Sequence, residues 1–233
     1  LAVGKTEFFN QKLEGKPQKV VFVNLEEDYS ITGQRLGNEI KSLSAHEKKL
    51  FSDNFYGTPI KFPSFMNEEK DWDILHNYIK DTKADIIFID SLTHLFVGDI
   101  EQSSQAQKMI KQFRQYVSDL GKTVIVIHHT TKGNDQPITQ DKIAGSRIIT
   151  QEFNWAYGFA KIPTSEGGQY ISHLFNKFMY TDDSIAELYR FNENNWIYHT
   201  GSTNKYKLYK DYKSKDDGRR DFTNQDLLKD YFD

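Results

Sequence analysis

Three short runs of continuous apolar residues, each ending abruptly in polar side chains, constrain this chain more than any other feature. Val20-Val21-Phe22-Val23-Asn24-Leu25 passes into Glu26-Glu27-Asp28, Ile86-Ile87-Phe88-Ile89 into Asp90-Ser91, and Val124-Ile125-Val126-Ile127 into His128-His129. A strand with one wet face alternates apolar and polar residues. Continuous runs predict strands covered on both faces, as in parallel sheets. Between the second and third runs, Ala106, Met109, Ile110, Phe113, Val117 and Leu120 recur at helical spacing, and Gly121 follows as a stop. Strand, helix and strand in that length make a βαβ unit with a right-handed crossover. The first 15 residues predict another helix, with Ala2, Thr6, Phe9 and Leu13 on one face and Gly15 at its end. A further βα unit is therefore expected ahead of Val20.

From Trp155 the pattern changes. Trp155–Ala160, Gln169–Phe178, Glu187–Phe191 and Trp196–His199 are short and aromatic-rich, separated by turn-forming residues. They predict an antiparallel meander appended to the edge of the parallel sheet. From Gly201 to Asp233 there are eight basic and seven acidic residues and little apolar content before Leu227. The expected organisation is one α/β domain over 1–200, a charged linker over 201–222 and the start of a helix over 223–233.

Composition narrows the chemistry. The 233 residues contain no cysteine, which excludes disulfide scaffolds, Cys-ligated zinc and thiol nucleophiles. With 30 basic and 33 acidic residues, net charge −3, there is no broad basic surface of the coat-protein kind. No apolar run approaches the ~20 residues of a membrane span, and no secretory signal opens the chain. A cytoplasmic globular domain is the expectation.

Ligands of open parallel sheets bind beyond the carboxyl ends of the strands, so the three polar strand ends are the candidate site. Asp90 is placed to hold Mg²⁺, through water, beside nucleotide phosphates; a helix-capping Asp is the plainer alternative. Glu26, Glu27 and Asp28 repel one another unless a cation or a polar task offsets the repulsion. One glutamate there could polarise a water for attack on a γ-phosphate, or all three could form a solvated loop capping a helix that starts near Ser30. His128 and His129, adjacent on a strand, point to opposite faces and do not share a metal. Either could sense a terminal phosphate.

Gly4-Lys5-Thr6 matches the tail of the phosphate-loop pattern G-x-x-x-x-G-K-[ST], but its first glycine would precede Leu1. Two versions stand open: a truncated signature, or a lookalike inside a helix whose phosphate loop lies upstream of a chain that opens without Met.

In order and spacing, Leu1-Ala2, Val20–Leu25 with Glu26, Arg35-Leu36, Ile86–Asp90-Ser91-Leu92, Gly98-Asp99, His128-His129-Thr130-Thr131-Lys132-Gly133 and Gly145-Ser146 resemble the RepA-type branch of RecA-like P-loop ATPases, relatives of the replicative helicase DnaB. The resemblance spans about residues 1–162. It implies an α/β fold with a RecA-like, mostly parallel central sheet followed by the antiparallel meander. It also implies an ATP- and Mg²⁺-dependent DNA helicase of a plasmid, phage or other mobile element, moving 5′–3′ on single-stranded DNA as a hexameric ring. By the same resemblance Glu26 is the catalytic glutamate, Asp90 the Walker B aspartate that holds Mg²⁺, and His129 a catalytic residue at the strand end. His128, Lys132 and Arg147 become phosphate-sensing or trans-acting residues. The family carries an arginine just before the Gly-Ser pair where this chain has Ala144, which puts trans-activation by Arg147 in question. A non-hydrolysing DNA-associated adaptor and a recombination ATPase are the alternatives on the same fold. The polar stretch Gly133–Gln140, flanked by Lys132 and Lys142, reads as a flexible loop that could face DNA. Tyr206–Lys215 interleaves aromatic and basic residues but reads as solvated linker.

Overall fold

A computed structural model describes residues 1–8, 11–95, 98, 102–131, 133, 135–145, 147–163, 168–194 and 196–209. Its amino end corrects the first expectation: residues 1–8 contain no helix. Gly4 N–H donates to the Leu1 carbonyl at 3.1 Å, closing a turn, and Gly4 has φ +69°. A Cβ there would lie 2.8 Å from Pro17 Cδ, so the left-handed turn and the proline packed on it both require glycine. Strand β1 (Glu7–Phe8) then pairs antiparallel with β2 (Gln11–Lys12). The helical spacing of Ala2, Thr6 and Leu13 is overridden by this turn and hairpin.

The three apolar runs are strands, as expected. β3 (Val20–Asn24) leads into helix α1 (Tyr29–Glu39), whose cap is Asp28; its side chain accepts from Ser30 N–H at 2.7 Å. Helix α2 (Ala45–Asn54) opens with a capping box between Ser44 and Glu47 and runs into the short strand β4 (Phe55–Gly57). Helix α3 (Glu69–Thr82) precedes β5 (Ile86–Asp90). Helix α4 (Ser103–Tyr116), continued by a 3₁₀ turn over Ser118–Leu120, precedes β6 (Thr123–Ile127). The sheet order is β4-β3-β5-β6, all parallel.

One face of this sheet carries the main core. Val21, Val23, Ile87 and Ile89 are fully buried there against Trp72, Leu75 and Ile79 of α3 and Ala106, Met109 and Phe113 of α4. Each such side chain contributes roughly 1.5–3 kcal/mol by leaving water. The other face differs from expectation. Phe22, Phe88 and Ile125 lie level across it, all half-buried, and neither core cluster of the described residues includes them.

After the short helix α5 (Arg147–Glu152), the strands β7 (Trp155–Lys161), β8 (Gln169–Asn176), β9 (Ile185–Phe191) and β10 (Ile197–Asn204) form the meander. It is a separate antiparallel sheet of order β10-β9-β8-β7, not an extension of the parallel one. Its inner face packs Tyr170, Leu174 and Ala186 against Ile138 and Tyr209. Trp196 Nε1 donates to the Glu39 carbonyl at 2.6 Å, tying the β9–β10 hairpin to the end of α1. Strand β10 and a 3₁₀ turn over Lys205–Leu208 carry ordered structure past residue 201, where the linker was expected to start. Residues 210–222 of that linker and the helix start at 223–233 lie outside the described residues.

Candidate functional site

Parallel pairing brings the three strand ends level. Asn24 is paired with Asp90, and Asp90 with Ile127. Side chains alternate along a strand, so Asn24, Asp90 and Ile127 share the face of Phe22, Phe88 and Ile125. Glu26, Ser91 and His129 follow just beyond, at the carboxyl edge of that half-open face.

Asn24 shapes the acidic turn. Its Oδ1 accepts from the N–H of Glu26 at 3.2 Å and of Glu27 at 2.9 Å, while its Nδ2 donates to the Glu27 carbonyl at 2.9 Å and to Thr32 Oγ1 at 2.7 Å. The three carboxylates then divide. Asp28 caps α1, Glu27 pairs with Arg35 at 2.6 Å, and Glu26 turns towards the neighbouring strand ends. Glu26 Oε2 lies 3.3 Å from His129 Nε2 and 3.8 Å from His94 Nδ1, with the Ser91 hydroxyl as a further neighbour of its carboxylate. Ser91 is fully buried, with its Oγ 2.7 Å from Thr93 Oγ1 and 3.1 Å from His94 Nδ1. The His94 ring packs on Phe65 at 4.6 Å between centroids.

The two central carboxyls are pushed in opposite directions. The Ser91 hydrogen bond, helped by His129 and His94, holds Glu26 below the usual glutamate range. Burial, with the negative charges of Glu26 and Glu27, raises Asp90 above the usual aspartate range. Separated carboxyls of this kind are suited to different tasks: an ionised Glu26 can accept a proton or orient water, and a half-buried Asp90 gains most from a nearby cation.

Asp90, half-buried at the strand edge, is the carboxylate of this site that could partner a Mg²⁺ ion. Among the described residues no group of three or more His, Asp or Glu could cage a metal.

Of the other expected residues, His128 turns away from the cluster and places Nε2 2.7 Å from the Ala144 carbonyl, fastening the end of β6 to the segment before α5. Arg147 is exposed at the start of α5 and makes no ion pair among the described residues. Lys132 lies outside the described residues. Gly4-Lys5-Thr6 fits neither open version: it is not inside a helix, it opens none, and Lys5 Nζ pairs with Glu47 Oε1 at 2.5 Å. The stretch Gly133–Gln140 is not free along its length, since Pro137 and Ile138 are buried. Sequence reading missed Asn24, Ser91 and His94 as site residues. Only their position, at or just after a strand end, marked them.

Comparison with known proteins agrees with this geometry. The solved structure of a KaiC-like protein from the hyperthermophilic archaeon Pyrococcus horikoshii OT3 superposes with a TM-score of 0.55 over 79% of this chain and 76% of that chain, at 12% sequence identity. No curated protein matches the sequence. No described helix is long and apolar enough to cross a membrane. An AAA domain family model matches residues 1–135. With its RecA-like sheet, and its acidic and histidine side chains at one strand edge, the chain belongs to the AAA domain family of P-loop ATPases.

Proposed function

We propose that this domain hydrolyses ATP at the carboxyl edge of the parallel sheet, as the motor of a RepA-type replicative helicase from a plasmid, phage or other mobile element. The observation that carries the catalytic part is the convergence of Glu26 and Asp90, from strands paired in register, with their ionisation driven apart. Glu26, kept ionised by Ser91 and faced by His129, orients a water and accepts its proton. Asp90 would hold Mg²⁺ through water, and the ion supplies charge neutralisation on the phosphates. His129, 57% exposed, is positioned to contact a terminal phosphate while touching Glu26.

Single-stranded DNA as partner, a hexameric ring and 5′–3′ movement rest on the resemblance of the strand-end motifs. Arg147, exposed and without an ion pair among the described residues, and Lys132 of the His128–Gly133 motif are the candidates for completing a neighbouring copy's site.

The test is Mg²⁺-dependent ATP turnover by the protein, with and without single-stranded DNA. DNA-stimulated turnover supports the helicase reading. Turnover without stimulation removes the DNA motor and keeps the ATPase. No turnover, with DNA binding retained, would make the protein a non-hydrolysing adaptor.

A further inference from the structure

The segment that carries His129 is anchored at a second point, deep in the antiparallel sheet. Ile138 is 6% exposed, and both of its backbone groups are held by buried side chains. Its N–H donates to the Tyr170 hydroxyl at 3.0 Å, and its carbonyl accepts from Lys205 Nζ at 2.9 Å. Tyr170 and Lys205 are both 0% exposed, and Tyr170 Oη lies 3.0 Å from Tyr209 Oη. The Ile138 side chain fills the space over Gly158, where a Cβ would meet Ile138 Cδ1 at 2.6 Å. A buried lysine is an expensive way to hold one carbonyl. Asp183 Oδ2, 4.0 Å away and exposed, offsets little of that desolvation.

From Ile138 a hydrogen-bonded connector runs back to the site. Lys142 N–H donates to Thr139 O and Ile143 N–H to Gln140 O, making a short 3₁₀ turn. Beyond it, Thr131 N–H donates to Lys142 O at 2.8 Å, Ala144 N–H to His129 O at 3.3 Å, and Thr130 bridges Ile143. His128 grips the Ala144 carbonyl from the other side. The backbone of His128–Thr131 is thus laid against residues 142–144, whose far end is fixed by Lys205 and Tyr170.

We propose that Lys205, Tyr170 and Tyr209 are positioning residues that pin Ile138 and, through residues 138–144, hold His129 against Glu26. The second sheet then acts as the anvil of the strand-end segment, and a partner or ligand that shifted it would shift His129. This rests on the proposed site at Glu26 for its functional meaning, though not for its geometry.

Amide hydrogen exchange by NMR on the full chain tests it without nucleotide. Lys205→Met keeps the buried stem and removes the donor to Ile138; Tyr170→Phe removes the acceptor. Each should speed exchange at the Thr131 and Ala144 amides by roughly tenfold, the scale of one net hydrogen bond, while Val23 and Ile89 in the parallel sheet hold their rates. Ser202→Ala, on the same sheet outside this anchor, should leave Thr131 and Ala144 unchanged. Faster exchange at Ile138 and Ile143 alone, or an equal rise everywhere, would overturn the proposal. If ATP turnover proves absent while the exchange pattern holds, the functional reading falls and the anchor stands.

Discussion

His129 Nε2 lies 3.3 Å from Glu26 Oε2, joining two strand ends that are 103 residues apart in sequence. The contact exists because β3, β5 and β6 are paired in register, so that residues at equivalent offsets from each strand end meet at one edge. Between them lies Asp90, whose carboxyl is destabilised in its charged form first by burial and then by the negative charge of Glu26.

Glu26→Gln removes the base and retains the shape. Turnover should fall by about 10²-fold or more, the usual share of a positioned general base, with nucleotide binding kept. Equal turnover in steady-state assays would show that Glu26 is not the base. Because the folded state depresses this carboxyl, its contribution to stability is present above its ordinary pKa and lost as pH falls through the folded value. Urea melts should therefore show a smaller acid-induced loss in the variant, by less than ~1 kcal/mol given its exposure.

Asp90→Asn should do the opposite to stability. The folded state raises this carboxyl above 3.8, so its favourable contribution is complete below that value and is lost as pH rises through the folded one. At pH 7 the charged form strains the fold, and the asparagine variant should melt higher by a few degrees (roughly 2–4 °C per kcal/mol at this size). The gain should vanish near pH 3. A lower melting temperature at pH 7 would count against this placement of Asp90.

Lys5→Ala distinguishes a phosphate-binding lysine from a surface one. Lys5 Nζ, which heads the causes that lower Glu47 to about 2, is bonded to that carboxylate. Losing it should move the Glu47 titration, followed by ¹³C NMR, back towards the ordinary glutamate range. ATP affinity measured by calorimetry should stay the same. A drop of tenfold or more would return Lys5 to the phosphate loop.

Gly158→Ala tests the packing of the second sheet. The added methyl would lie 2.6 Å from Ile138 Cδ1 and 3.0 Å from Leu174 Cδ2. Overpacking of this kind destabilises by about 1–3 kcal/mol, to be read from the shift in urea midpoint. Gly158→Ala combined with Ile138→Val should recover part of that loss.

The candidate edge was legible because its signal is local: an apolar run long enough for a strand, then a carboxylate or imidazole. Asn24, Ser91 and His94 carried no comparable signal, since their roles depend on hydrogen bonds across neighbouring strands and turns. The amino end misled for a related reason. Ala2, Thr6 and Leu13 have helical spacing, but Gly4 at φ +69° and its contact with Pro17 decide the backbone there.

By itself the sequence determined three of the four strands of the parallel sheet, the meander strands, helix α4 and the candidate carboxylates, because hydrophobic period and strand-end chemistry are properties of contiguous residues; the edge strand β4, only three residues long, carried no such signal. Tertiary structure alone decided that the meander forms its own sheet, that Glu26 rather than Glu27 or Asp28 meets His129, and that a polar stretch after β6 is pinned by a buried lysine. Those outcomes depend on which strands pair, in which register, and on which buried carbonyl lies within reach of a distant side chain. Register and burial are set by the whole fold, so no single stretch of the chain encodes them.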